Sequence, residues 1–125
     1  MHELGITCNI VAIVREAANG RKVSRVTLEV GRHSGIMADA LAFCFEVVAR
    51  HTELDGATLD IREVDGRARC LACGSEFAAT TLYQPCACGS RRLLLLKGEE
   101  LKIKTMELEE VDRCADIADA DIPPR

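Results

Sequence analysis

Apolar residues first recur at helical spacing. Across residues 4–19, Ile6, Ile10, Ile13, Val14 and Ala17 gather on one side while Asn9, Arg15 and Glu16 lie off it, which predicts an amphipathic helix stopped by Asn19-Gly20. From Val23 to Val30 the period falls to two, with Val26, Leu28 and Val30 alternating against Arg25, Thr27 and Glu29, the pattern of a half-buried strand. The loop GRHSGI follows, hinged at Gly31 and Gly35. A second helix is predicted over 37–51, with Leu41, Cys44, Phe45 and Val48 on one side and a Glu46–Arg50 pair on its wet face. After Asp55-Gly56, residues 57–64 alternate again through Leu59 and Ile61. Asp65-Gly66 leads into a cysteine-rich stretch, Leu93–Leu96 reads as a short strand closing it, and Gly98 leads out. The last strand, 101–109, slips its apolar phase at Thr105, which predicts a bulge or twist there. Acidic residues and a Pro-Pro pair then predict a mobile tail over 111–125.

This order predicts a two-part α+β molecule. The final strand needs a sheet edge that the cysteine lobe is too small to offer, so the lobe interrupts one domain: residues 1–65 plus 99–110 form the body and 66–98 the lobe. At 125 residues and 48% hydrophobic the chain can bury one modest core, and with 3% aromatics that core must be aliphatic. A formal charge of −4 argues against nucleic acid as a partner. No apolar run is long enough to span a bilayer, and MHELGITCNIVAIV has no basic leader, which together point to the cytoplasm. Seven cysteines in a reducing compartment are expected to be thiols and metal ligands rather than disulfides. Cys8 and Cys44 fall in helical patterns as core fillers.

Four cysteines arrive in two close pairs, Cys70/Cys73 and Cys86/Cys88, each followed at once by a glycine, Gly74 and Gly89. Paired thiolates from two tight turns are how a chain surrounds tetrahedral zinc. A redox dithiol would need no second pair nearby, and buried small apolar cysteines would not cluster in a segment rich in Gly, Thr and Pro. Four thiolates close the coordination sphere, so the zinc would be structural, with Phe77 and Tyr83 the large side chains able to pack beside it. No Ser/His/Asp set, phosphate-cradling loop or open metal site points to an enzyme.

Met1-His2-Glu3 at a free N-terminus makes a chelator. The α-amine, the His2 amide nitrogen and the imidazole bite one ion in fused rings, and the Glu3 amide or carboxylate completes a square, a donor set that favours Ni(II) or Cu(II). In an arbitrary protein such a histidine is solvated and idle, so these residues alone do not carry the reading.

MHELGI, the strand VTLEVG, the CxxC and CxC pairs and the closing GEELKIKTMELEE together resemble the HypA/HybF family over residues 1–110. The resemblance implies a nickel metallochaperone for [NiFe] hydrogenase maturation, delivering Ni(II) to the large-subunit precursor with a HypB-type GTPase, and in some members also serving urease through its accessory proteins. It implies nickel at Met1, His2 and Glu3, zinc at Cys70, Cys73, Cys86 and Cys88, and two helices on a small three-stranded sheet with an inserted zinc-ribbon-like lobe. The Cys86-Ala87-Cys88 spacing departs from the second CxxC common in the family and bears on local geometry. His33 is expected as an exposed loop histidine, with a metal-ligand role as the competing reading, and Asp39 as a helix cap or an added oxygen ligand. The alternative function is a zinc-ribbon module binding protein or nucleic acid, for which Arg67, Arg69, Arg91 and Arg92 are the basic candidates. A homodimer is compatible with the sequence.

Overall fold

The computed structural model describes residues 2–81, 84–109 and 114–123. The elements run α1 (His2–Ala18), β1 (Val23–Gly31), α2 (Ala38–Val48), β2 (Thr58–Val64), β3 (Arg67–Cys70), β4 (Glu76–Ala78), β5 (Leu93–Lys97), β6 (Leu101–Leu108) and β7 (Cys114–Asp121). In α1 the apolar stripe is rotated slightly from the expected one. Ile6, Ile10, Val11, Val14 and Ala18 are buried, Ile13 is half-buried and Ala17 faces solvent. The helix ends as its composition requires, with Asn19 and Gly20 at φ 52° and 85°.

Helix α2 buries Leu41 and Phe45, with Cys44 and Val48 half-buried. It stops at Val48, short of the expected boundary, so Arg50 lies beyond it and no ion pair joins Glu46 to Arg50 among the described residues. The crossover through α2 makes β1 and β2 parallel neighbours, as a helix-length connection permits. Strand β6 returns antiparallel on the other side of β1. Its register skips Lys104 between Ile103 and Thr105, placing the expected irregularity one residue from the phase slip. Both helices pack with Val26, Leu28, Val30, Ile103 and Met106 of the sheet in one aliphatic cluster.

The body sheet has order β2-β1-β6-β7, so it carries four strands where three were expected. The added strand comes from the segment expected to be a mobile tail. The sequence shows only its acidic residues, but β6 offers an open edge, and the antiparallel register sets Asp121 opposite Lys102 and Asp116 opposite Thr105. Beyond it Ile122 is 4% exposed within the body cluster, its amide donates to Leu101 O at 3.1 Å, and Asn9 Nδ2 donates to Pro123 O at 2.7 Å.

The remaining strands form a separate three-stranded sheet, β4-β3-β5. The run Leu93–Leu96, legible as a strand, is β5 with Lys97 added, whereas β3 and β4, of four and three residues, were not legible. The two parts meet where the backbone of β1 touches the exit from the lobe. A Cβ at Gly31 would overlap the Gly98 carbonyl, and the Gly31 amide donates to Glu100 O at 2.7 Å. Only a glycine permits that approach.

Candidate metal centres

Each cysteine pair sits on its own tight turn. In the first, Cys70 N donates to Ser75 O at 2.8 Å and Gly74 N to Cys70 O at 2.9 Å, with Gly74 at φ 79°. In the second, Cys86 N donates to Ser90 O at 3.0 Å and Gly89 N to Cys86 O at 2.8 Å, with Gly89 at φ 91°. Left-handed glycines reverse the chain within one residue, and that reversal lets the shortened Cys86-Ala87-Cys88 spacing still aim both sulfurs inward. The first turn is tied to the lobe sheet by Leu71 N donating to Arg92 O at 2.8 Å.

The four sulfurs lie within 4.8 Å of one another. Cys70 Sγ is 3.7 Å from Cys88 Sγ, and Cys73 Sγ is 3.6 Å from Cys86 Sγ. Zinc bonded at about 2.3 Å to four tetrahedral sulfurs sets sulfur–sulfur edges of roughly 3.8 Å, so the cluster fits that ion. Cys70 and Cys86 are buried and Cys73 and Cys88 exposed, so the cluster closes on itself at the surface of the lobe. Protonation is divided unevenly among the thiols. The Cys73 amide, with those of Ala72 and the neighbouring thiols, pulls Cys70 down to about 6. The Ser75 amide, followed by the Cys86 thiol, lowers Cys73. At Cys86 the Cys88 amide acts to lower the pKa, but burial and the neighbouring sulfurs outweigh it and push the thiol up to about 11. Four sulfurs this close cannot all be anionic without a cation, and a zinc ion would hold all four as thiolates.

At the start of the chain, Met1 lies outside the described residues and His2 is the first residue of α1. The helix itself offers its leading amides no carbonyl partner. Glu3 lies in the first turn, where its Oε2 accepts from Met37 N at 3.2 Å and its carbonyl oxygen accepts from Thr7 Oγ1 at 2.6 Å. A carboxylate from α1 thus holds the start of α2. Met37, not Asp39, is the N-cap, and Asp39 is an exposed acidic residue in the first turn. Phe77 is half-buried in the lobe, while Tyr83 lies outside the described residues. Cys8 and Cys44 are half-buried thiols. The strand β7 includes Cys114.

The basic candidates on the lobe divide into two pairs. Arg67 and Arg69 both reach Glu76, at 3.6 and 2.9 Å, while Arg91 and Arg92 are exposed. Half of the proposed basic patch is therefore neutralised locally, which is a solvated rim rather than a phosphate-binding face. Among the described residues, no helix is long and apolar enough to cross a membrane.

A family model described as hydrogenase/urease nickel incorporation, metallochaperone, matches residues 1–108, from the N-terminal triplet through the cysteine cluster to the end of β6. The chain belongs to the HypA family. The hydrogenase maturation factor HypA of Nostoc sp. (strain PCC 7120) is 55% identical over 111 residues, covering 89% of this chain and 98% of the relative. That of Geobacter metallireducens is 46% identical over 110 residues, covering 87% and 100%. Among solved structures, the nickel metallochaperone HypA from Helicobacter pylori superposes with a TM-score of 0.62 at 25% identity, over 86% of this chain and 97% of that one. A second HypA solution structure, at 24% identity and a TM-score of 0.66, shows the shared fold. The chain is accordingly a HypA-type hydrogenase maturation factor and metallochaperone, not an enzyme.

Proposed function

We propose that the chain carries nickel at Met1, His2 and Glu3 and delivers it to the large-subunit precursor of a [NiFe] hydrogenase. The observation carrying this reading is a family match that spans both the N-terminal triplet and the cysteine cluster. The two parts divide the work. The body, residues 1–65 with 99–110, presents the nickel ligands, and the lobe, residues 66–98, is clamped by structural zinc on Cys70, Cys73, Cys86 and Cys88. Zinc supplies rigidity there and no redox chemistry.

Nickel is cargo, so its site must release as well as bind. The α-amine of Met1, the amide and imidazole of His2 and an oxygen or amide of Glu3 make a small chelate at the end of a helix. It is open to a docking partner, and ligand exchange requires no enclosed cavity. Glu3 Oε2 accepts from Met37 N, so a nickel site that uses this carboxylate is joined to the start of α2. The partners consistent with this role are a HypB-type GTPase and the hydrogenase precursor in the cytoplasm, with urease accessory proteins as a second route, and a homodimer as the assembly to test.

Calorimetric titration of nickel into zinc-loaded protein with a native N-terminus, beside His2→Ala, tests the site. The variant is expected to lose more than the roughly 10–100-fold that removal of an outer-shell partner costs. Binding should weaken as pH falls below about 8, because the chelating amine, with a reference pKa of about 7.7–8.0, must lose its proton. Equal affinity in the variant, or in a protein extended at its N-terminus, would move nickel elsewhere. Strong salt-dependent binding to RNA or DNA would instead support a zinc-ribbon module.

A further inference from the structure

The chain crosses twice between body and lobe, at Asp65-Gly66 and at Gly98-Glu99, and His33 stands against both crossings. Its backbone amide donates to Gly98 O at 2.6 Å. Its ring reaches across to the lobe, with Nε2 2.6 Å from Ala79 O, one residue beyond β4. Ala79 N returns a bond to Gly66 O at 2.9 Å, so the lobe backbone at Ala79 is fixed to the first crossing and to His33 at once. The glycines make room for the ring. A Cβ at Gly66 would overlap Nε2 and Cδ2 of His33, and one at Gly98 would come 2.9 Å from Cδ2. A carbonyl oxygen only accepts, so Nε2 carries the hydrogen and the neutral ring is the Nε2–H tautomer.

We propose that His33 is a latch that fixes the orientation of the cysteine lobe on the body. It is a side chain from the turn just after β1 bonded to lobe backbone 46 residues away. The nearby Arg32–Asp65 ion pair cannot replace it, because both groups are largely exposed, with side chains 53% and 81% accessible, and such pairs contribute little. The half-buried imidazole works in a drier setting, where a hydrogen bond is harder to trade for water. That the latch sets the angle at which lobe and nickel-bearing end meet a client rests on the carrier reading; the latch itself does not.

The experiment is nitrogen-15 relaxation on full-length, zinc-loaded, nickel-free protein, beside His33→Ala and His33→Gln, with zinc content checked in each. In the unaltered protein, body and lobe amides are expected to share one rotational correlation time. In His33→Ala the lobe should acquire a separate, shorter one while zinc remains bound, and His33→Gln, whose amide can donate to Ala79 O, should restore the common value. A common value in His33→Ala, or failure of Gln to restore it, overturns the latch. Nitrogen-15 spectra of the unaltered ring provide a reading that needs no variant: Nε2 is expected to carry a proton, and an Nε2 without one, as in the Nδ1–H tautomer, overturns the proposal. Neither readout involves nickel, so failure here is distinguishable from failure of the carrier reading.

Discussion

At Gly31 the backbone of β1 lies so close to the exit from the lobe that a methyl group has no room. The added carbon would overlap the Gly98 carbonyl and the Glu99 amide, which are backbone and cannot rotate away. Gly31→Ala is therefore expected to destabilise the chain by at least the roughly 1–3 kcal/mol typical of overpacking. The check is the urea midpoint at unchanged slope, which reports stability rather than a change in the exposed surface. A midpoint equal to that of the unaltered protein would mean that β1 and the Gly98-Glu99 crossing can separate freely. Residue-scale chemistry of this kind was only partly legible in the sequence. The cysteines announced themselves because metal ligation imposes both a residue type and a spacing. His33 did not, since its partner is a backbone carbonyl far along the chain, and a carbonyl leaves no mark in a sequence. The signal available was indirect: glycines at 66 and 98 that the ring requires.

At the scale of elements, long segments with one clear period were readable, and their errors were shifts of a few residues. The α1 stripe moved from Ile13 and Ala17 toward Val11 and Ala18, and α2 ended at Val48 because its last turn opens before Arg50. The short lobe strands β3 and β4 were unreadable because three or four residues carry too little periodicity to be told from a loop. The C-terminal strand was missed for another reason. Alternating Asp and small apolar residues describe a solvated tail by composition, and only the open edge of β6 and the buried site for Ile122 turn them into β7. Ile122→Ala is expected to cost about 2 kcal/mol, the low end for emptying a buried aliphatic site, because a chain terminus can relax around the loss. Truncation after Glu109 should go further and abolish the hydrogen-exchange protection of the β6 amides that face β7. Unchanged protection and an unchanged unfolding midpoint in both variants would mean that β7 does not pair in solution.

For the whole molecule, the distribution of apolar residues predicts two very different responses to loss of metal. Among the described residues, none of 66–98 contributes to the body cluster, which is built from α1, α2, the body sheet, Ala49 and Leu54 of the connection after α2, and Ile122. Among the described residues the lobe's fully buried apolar positions are Ala68, Cys70, Ala79 and Cys86, two alanines and two of the sulfurs themselves, with Phe77, Leu93 and Leu95 half-buried. With so little apolar surface fully buried, the lobe depends on its metal for order far more than the body does. The apparent contribution of zinc in small zinc-stapled folds is about 10–16 kcal/mol at neutral pH, as large as the net stability of a whole domain. Stripping the metal with a chelator under reducing conditions is therefore expected to expose β3, β4 and β5 to rapid hydrogen exchange. The buried amides of α1, β1 and β6 should keep most of their protection. Nickel uptake at the N-terminus should keep its stoichiometry, because none of its proposed ligands lies in the lobe. If the body instead lost protection together with the lobe, the crossings at Gly66 and Gly98 would be transmitting stability as well as orientation. The division of labour between a self-sufficient body and a metal-dependent lobe would then have to be abandoned.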